Sequence, residues 1–444
     1  MRHSHSHANQ VGEKGSRKGS ITLSGAVAMG TGVMIGAGIF ALTGQIAELA
    51  GPLFPLSFVV GAMVTAFSAY SYIKMSNAWP SSGGIAMILQ KAYGPGVTAA
   101  AASLLMAFSM VINESLVART FAVYALRPFG LQSDRLLVPA LAVGVIMFAY
   151  LVNASGNRSV SFVSLLMSGL KIGGIALFGI AALVAGGLGG AALGEPASET
   201  APIDFAASVA LSILAFKGFT TITNSGGEIV DPHRNVGRTI SITIAICVVT
   251  YLLVAIAVGS SLSIDEIVRT RDFSLAAAAE PALGNYGFYF TIALAIVATS
   301  SGVVASVFAV SRMLTMLTEM KMIPHSHFGM LGPVRRHMLV YTVVIAGVLA
   351  VLFDLGRIAS LGAFFYLVMD MVVHWGVFHR LRHEVGAKAW ILLTALGLDA
   401  LVLIAFTTIK YRSDPSIVYY AIIAISSVFV FEWSYLRIIT SRSR

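Results

Sequence analysis

The sequence predicts an all-α, multi-pass membrane protein with twelve transmembrane helices. Of its 444 residues, 57% are hydrophobic and 11% are charged, and the mean hydropathy is +0.84. A soluble domain carries roughly 25% charged residues, so these values exclude an ordinary soluble fold. The apolar residues form runs of the length, about 20 residues, that a helix needs to cross a bilayer. Lipid is therefore the expected solvent for most of the chain.

Composition excludes several other classes of protein. Cys247 is the single cysteine and lies inside an apolar run, which rules out a disulfide framework. The net charge of +9 comes mainly from basic residues in short loops, a pattern that suits membrane topology better than a nucleic-acid surface. Residues 1–20 are polar and predict a disordered cytoplasmic tail. No signal peptide is expected, because the first apolar run is too long and no cleavage site follows it.

The apolar runs define the predicted spans, numbered here from one to twelve in chain order. Their approximate ranges are 21–49, 53–77, 97–126, 136–152, 160–184, 205–227, 239–262, 286–318, 338–353, 358–378, 389–408 and 417–436. With the N-terminus inside the cell, 19 of the 29 Lys and Arg residues fall in cytoplasmic segments, 7 fall outside and 3 lie within spans. This bias predicts that both termini are cytoplasmic. The long external segment 263–285 is expected to be a solvated connection.

Two spans carry signals of an interrupted helix. Span one has four glycines, Gly30, Gly32, Gly36 and Gly38, near the middle of the membrane, and span six turns abruptly polar after Phe216. Close packing through small residues is the alternative interpretation of the glycines. Spans one and six each begin a group of five, and paired interruptions at corresponding positions are typical of the inverted repeats of transporters. Unwound backbone at the membrane midplane could bind both ends of a zwitterion, such as an amino acid.

Several motifs then resemble the amino acid-polyamine-organocation (APC) superfamily, of the amino acid permease type. They lie in span one, after span two, at and after span six, and in and after span eight: Gly36-Ala37-Gly38-Ile39-Phe40, Trp79-Pro80-Ser81-Ser82-Gly83-Gly84, Ala92-Tyr93-Gly94-Pro95, Phe216-Lys217-Gly218-Phe219, the run from Glu228 to Asn235, and Ser311-Arg312 through Pro324. The resemblance implies a five-plus-five inverted repeat with broken helices one and six, and alternating access to one substrate. The expected organisation is the tail 1–20, a first repeat 21–187, a second repeat 203–383, and spans eleven and twelve with a short tail in 384–444.

The resemblance also implies a substrate site at the two breaks. Backbone N–H groups around Ala37 and Gly38 would hold a carboxylate, and carbonyl groups near Met34, Leu214 and Lys217 would receive an amine. The expected substrate-binding set is Met34, Gly36, Ala37, Gly38, Ile39, Glu114, Leu214, Phe216, Lys217 and Gly218. Glu228, at the cytoplasmic end of span six, would organise the inner gate, or alternatively serve only as a structural helix end.

Buried charges give further candidates, because an ionisable group at the bilayer centre costs about 2.5–3.5 kcal/mol on insertion scales. Lys171 in span five matches a lysine that replaces the sodium ion in proton-coupled relatives, so it is a candidate for proton coupling; a permanently charged structural Lys is the alternative. Glu114 in span three and Lys217 depart from the usual family pattern. Both are expected to face one site and to contact substrate, with Glu114 a second carrier of the coupled proton, or else to form a structural ion pair.

Asp370 and His374 lie one turn apart in span ten and either line the pathway or form a hydrogen-bonded pair, whereas Asp399 in span eleven suggests no role. The expected function is secondary active transport of amino acids or related small amines, coupled to protons, in the cell membrane. A substrate exchanger without ion coupling and a transporter-like nutrient sensor are the alternatives. No enzyme activity, cofactor, metal site or nucleic-acid partner is predicted, and spans eleven and twelve could form a homo-oligomer contact.

Overall fold

The computed structural model describes residues 21–81, 83–155, 157–186, 191–196, 200–320, 322–323 and 333–442. The predicted tail 1–20 lies outside the described residues. Within them the chain forms fifteen α-helices, and the only extended pairing is one isolated bridge between Ile21 and Ile229.

The helices are numbered here in chain order. They are α1 Leu23–Ala50, α2 Phe54–Ala78, α3 Gly84–Tyr93, α4 Val97–Leu126, α5 Leu137–Ala154, α6 Asn157–Gly186, α7 Pro202–Phe216, α8 Thr220–Asn224, α9 Pro232–Ser261, α10 Ile264–Arg269, α11 Ser274–Glu319, α12 Val334–Leu352, α13 Leu355–Gly376, α14 Ala389–Ser413 and α15 Pro415–Arg442.

Ten helical segments of the described chain are long and apolar enough to cross a membrane, and shorter apolar segments lie at Leu23–Gly36 and Gly169–Ala185. The prediction of an all-helical, multi-pass fold is therefore confirmed. The count of twelve spans, the inverted repeat and the orientation of the termini stay predictions.

Local sequence signals set several helix ends. Thr22 caps α1 by accepting a hydrogen bond from the Gly25 N–H, and Asp354 caps α13 in the same way with Arg357. Proline occupies the first turn of α7 and of α9, where its missing N–H costs no helical hydrogen bond.

The predicted break in span one is wrong. Helix α1 runs from Leu23 to Ala50 without interruption. Its glycines allow close packing instead: a Cβ added to Gly30 would lie 2.6 Å from Ile222 Cδ1, and one added to Gly38 would lie 2.9 Å from Ala215 Cβ. A tightly packed helix keeps its backbone groups bonded within itself, which lipid and protein interiors favour. The structure shows no unwound backbone at Gly36 or Gly38, and the expected contact of a carboxylate with the N–H groups around Ala37 and Gly38 stays a prediction.

Span six is interrupted as predicted. Helix α7 ends at Phe216, a 3₁₀ turn covers Lys217–Phe219, and the short α8 follows. The N–H of Lys217 bonds to the carbonyl of Leu214, three residues back, so the α-helical pattern is lost there.

The external segment 263–285 is not a simple solvated connection. It contains α10 and the start of α11, which kinks at Gly284 where φ is 65°. Gln45 of α1 donates a hydrogen bond to Asp272 at 2.7 Å, and Glu48 pairs with Arg271. We call these two contacts the external latch. Burial raises the pKa of the Asp272 carboxyl, and the adjacent Arg271 opposes that rise.

Candidate functional site

The candidate site lies where α1 crosses the interrupted span six. A Cβ added to Gly218 would lie 2.5 Å from Met34 Cγ and 3.1 Å from the Met34 N, so only glycine allows this approach. One helical turn further along α1, Gly38 packs against Ala215. Met34, predicted from span one, therefore meets Gly218, predicted from span six, whereas the neighbour of Gly38 in span six is Ala215, which was not predicted.

Tyr251 of α9 contacts both helices at this crossing. Its hydroxyl donates to the Met34 carbonyl at 2.6 Å and also lies 3.2 Å from the Ala215 carbonyl. The Phe216 ring stacks at a tilt on the Tyr251 ring, with centroids 4.9 Å apart. Sequence reasoning missed Tyr251, although a tyrosine in the middle of a span needs a partner for its hydroxyl and is a usable signal.

Gly36, Ile39 and Leu214 of the predicted set are buried, and the side chain of Ala37 lies outside the described part of the chain. Ile39 is fully buried in α1, and Leu214 packs near Gly362 of α13, where an added Cβ would lie 3.3 Å from a Leu214 methyl carbon. Gly36 faces a different neighbour from the others. A Cβ there would lie 3.0 Å from the Ala298 carbonyl oxygen of α11 and 3.6 Å from Lys171 Nζ.

Lys171 lies where α1, α6 and α11 meet. Its Nζ donates a hydrogen bond to the Gly32 carbonyl of α1 at 3.0 Å, and 2% of the residue is exposed. No described Asp or Glu forms an ion pair with it. An ammonium group has three N–H donors, and the part of the chain that the structure describes supplies an acceptor for one of them.

Lys217 extends from the 3₁₀ turn to α4. Its Nζ donates to the Ser109 carbonyl at 2.7 Å and to the Ser109 hydroxyl at 2.9 Å, and it lies 5.9 Å from the centroid of the Tyr366 ring. The expected ion pair between Glu114 and Lys217 is not found among the described residues. Glu114 is five residues beyond Ser109, about 140° around a regular helix, so the two residues lie on different faces of α4.

Glu114 is fully buried, and neither carboxyl oxygen has a hydrogen-bond partner in the described chain. Glu114 lies about one helical turn before Val117 on α4. A Cβ added to Gly302 of α11 would lie 3.3 Å from a methyl carbon of Val117. Glu114 therefore belongs to the side of α4 near α11. An orphaned carboxyl group in an apolar interior is costly, which marks this position as one that needs a functional reason.

Glu228 lies at the C-terminal end of span six, which the predicted topology places on the cytoplasmic side. Its carboxylate accepts a hydrogen bond from Arg312 of α11 at 2.7 Å, and its backbone carbonyl accepts one from the Ile21 N–H at 2.9 Å. The Val230 N–H donates a hydrogen bond to the Ile21 carbonyl at 2.9 Å. These contacts join the start of α1, the end of span six and α11, and we call them the cytoplasmic latch.

The sequence of residues 21–436 matches the amino acid permease family. The chain belongs to this family. The resemblance inferred from the motifs is thus confirmed, and with the ten spanning helices it makes this permease a multi-pass protein of the cell membrane.

Curated relatives cover nearly the same length. The inner membrane transport protein YbaT of Escherichia coli is 28% identical over 90% of this chain and 91% of its own. An uncharacterised protein of Methanocaldococcus jannaschii is 29% identical over 94% of this chain and 95% of its own. The chloroplastic cationic amino acid transporter 6 of Arabidopsis thaliana is 24% identical over 86% of this chain and 69% of its own. The family is one of permeases rather than enzymes.

Proposed function

We propose that this permease is a secondary active transporter that moves an amino acid or a related small amine by alternating access, coupled to protons. The observation that carries the proposal is the position of Lys171, a buried amine bonded to the Gly32 carbonyl at the meeting point of three helices. An ionisable residue inside a membrane that faces other helices is by default a functional-site hypothesis.

The coupling step follows from that bond. When Lys171 is protonated, it holds α1 through the Gly32 carbonyl and bridges towards α11. Transfer of the proton from Nζ to water on the cytoplasmic side removes the positive charge from this junction and weakens the hold on α1. Because no carboxylate among the described residues is paired with Lys171, loss of the proton leaves no uncompensated anion there. A substrate that binds beside α1 can therefore be coupled to the protonation of this one amine.

The substrate site in this proposal is the crossing of α1 and the 3₁₀ turn, lined by Met34, Gly38 and Lys217 to Gly218. Ser109 uses two of the three N–H donors of Lys217, so the third is free to bind a substrate carboxylate. Carbonyl groups at the interruption of span six, near Leu214 and Lys217, would receive the substrate amine, because the Met34 carbonyl is already bonded to Tyr251. Span six would then bind both ends of a zwitterion, which would lie against the face of α1 that carries Met34 and Gly38.

Glu114 is a second candidate for carrying the coupled proton, because a protonated carboxyl group tolerates its apolar surroundings better than an anion does. Glu228 and Arg312 would act as the inner gate, since their ion pair joins two elements that must separate for the cytoplasmic side to open. Neither of these two roles requires a break in span one.

The test is uptake of radiolabelled amino acids by purified protein in liposomes. Wild type is expected to accumulate at least one amino acid when the outside is acidic, with no substrate inside. Lys171→Met should lose this pH-driven accumulation. Lys388→Met, which removes an exposed lysine after span ten, should retain it.

The outcome that contradicts coupling is accumulation by Lys171→Met equal to that of wild type. Uptake that requires internal substrate and ignores the pH gradient would instead identify an exchanger. Binding without any flux would identify a sensor. Loss of accumulation in Glu114→Gln, with Lys171→Met unaffected, would move the coupling role to Glu114.

A further inference from the structure

Three buried side chains outside the site converge where α13, α14 and α2 meet. Asp370 and His374 of α13 and Asp399 of α14 are each fully buried, and their ligand atoms lie within 4.8 Å of one another. His374 Nε2 is 3.5 Å from Asp370 Oδ2 and 3.3 Å from Asp399 Oδ2. We call these three residues the α13–α14 cluster.

The cluster is incomplete as a set of hydrogen bonds. His374 Nε2 and both Asp399 oxygens have no hydrogen-bond partner among the described residues. A direct bond between an imidazolium and a carboxylate is about 2.7–2.9 Å long, shorter than either separation. Fully buried polar groups that face one another without a hydrogen bond can be satisfied by a bound ion or water.

A second layer of side chains fixes two of the three residues. Ser71 of α2 lies 2.8 Å from His374 Nδ1, and Ser68 and Tyr72 each donate to the Asp370 carboxylate at 2.5 Å. With His374 Nδ1–H donating to Ser71, the Nε2 lone pair faces the two carboxylates. Metal-binding histidines are oriented in this manner through their second ring nitrogen.

The charge of the cluster also favours a cation. Neither Asp370 nor Asp399 forms an ion pair with a described Lys or Arg. A proton on His374 would neutralise one of the two carboxylates and leave a net negative charge in the interior of a membrane protein. A divalent cation with a neutral imidazole would leave the cluster uncharged, which is the less costly state in an apolar medium.

The separations fit a small tetrahedral ion. Zn²⁺ binds nitrogen and carboxylate oxygen at about 2.0–2.2 Å, which places neighbouring donors of a tetrahedron about 3.3–3.6 Å apart. Both distances from His374 Nε2 fall in this interval. We propose that Asp370, His374 and Asp399 bind a divalent transition-metal ion, best matched by Zn²⁺. The ion would hold span eleven against span ten, beside the proposed transport core.

The role of this ion is structural. Helix α14 lies outside the proposed five-plus-five core, and Asp399 is its one buried charged side chain in the middle of the span. The ion joins α14 to α13, while Ser71 links the same site to α2. The proposal does not depend on the proposed transport function, because it concerns ligands that the substrate site does not use.

Metal content of the purified full chain tests this directly. His3, His5 and His7 are replaced by Ser in every sample, and a tag without histidine is used, so that only internal sites bind metal. We expect about one zinc ion per chain by mass spectrometry, bound by the three side chains with water in the fourth coordination position. His374→Gln and Asp399→Asn should lose it. His337→Gln, which changes a fully buried histidine of α12, should keep it.

Two further measurements remain informative if the ligand variants fail to fold. Ser71→Ala should weaken Zn²⁺ affinity by about 10-fold or more, because it removes the residue that orients His374. Wild type stripped of metal and loaded with Co²⁺ should show the visible absorption of a tetrahedral site. Wild type that contains no metal and gives no such absorption overturns the proposal, and so does metal retained in both His374→Gln and Asp399→Asn.

Discussion

Lys171 and Lys217 place two amines inside the membrane region, and each donates to a backbone carbonyl of a neighbouring helix. The sequence identifies both as buried charges, because they interrupt apolar runs. Their partners could not be predicted, since rotation of a helix about its axis is decided by packing between helices. Thus Lys217 bonds to Ser109 rather than to Glu114, although all three residues lie in the same two spans.

Gly38 allows a close approach of α1 to span six. A Cβ at this position would lie 2.5 Å from the Tyr251 hydroxyl and 2.9 Å from Ala215 Cβ. Overpacking a core costs about 1–3 kcal/mol, so Gly38→Leu should abolish uptake while the protein still inserts. Gly144→Leu is the matched control, because nothing lies within 4 Å of a Cβ at Gly144 of α5. Normal uptake by Gly38→Leu would remove the crossing from the substrate site.

Lys217→Met tests the amine at the 3₁₀ turn. The change removes both bonds to Ser109, and hydrogen bonds to charged groups contribute about 1.5–3 kcal/mol each. We expect weaker binding of amino acids with the carboxylate intact and no change for analogues in which the carboxylate is replaced by a neutral amide, measured by thermal shift. Equal losses for both kinds of ligand would show that Lys217 supports the fold and does not bind the carboxylate.

At the scale of the helices, α1 is held at both ends. The external latch joins it to the α10–α11 connection through Gln45 and Glu48, and the cytoplasmic latch joins its start to the end of span six. The interruption of span six was predictable because polar residues follow Phe216 directly. The unbroken α1 was not, because a run of glycines permits both unwinding and close packing. The choice depends on the helix that packs against it.

Arg312→Gln tests the cytoplasmic latch. An exposed or half-exposed ion pair contributes about 0.2–1 kcal/mol, so its loss should shift the molecule towards the state open to the cytoplasm by up to about fivefold. The readout is the rate at which a cytoplasmic thiol reagent labels Ser225→Cys in a Cys247→Ser background. Arg357→Gln breaks an ion pair of the same 2.7 Å length outside α1 and span six, and should leave the rate unchanged. Equal rates in both variants would contradict a gating role.

For the whole molecule, the arrangement of helices brings distant parts of the sequence to one point. Composition and the spacing of apolar runs were enough to predict a multi-pass helical membrane protein, and a few motifs were enough to predict its family. The α13–α14 cluster was not predictable, because His374 and Asp399 lie on separate helices whose contact is formed only in the folded chain. The role of Tyr251 was not predicted for the same reason, since its two acceptor carbonyls belong to α1 and α7.

We propose that transport of the substrate is coupled to a proton through Lys171. The most direct measurement is the current that a neutral amino acid evokes from proteoliposomes on a solid-supported membrane, with equal pH on both sides. Wild type should give a transient inward movement of positive charge, because a zwitterion enters together with a proton, and Lys171→Met should give none. Uptake by wild type without any current, or an undiminished current in Lys171→Met, would contradict the claim.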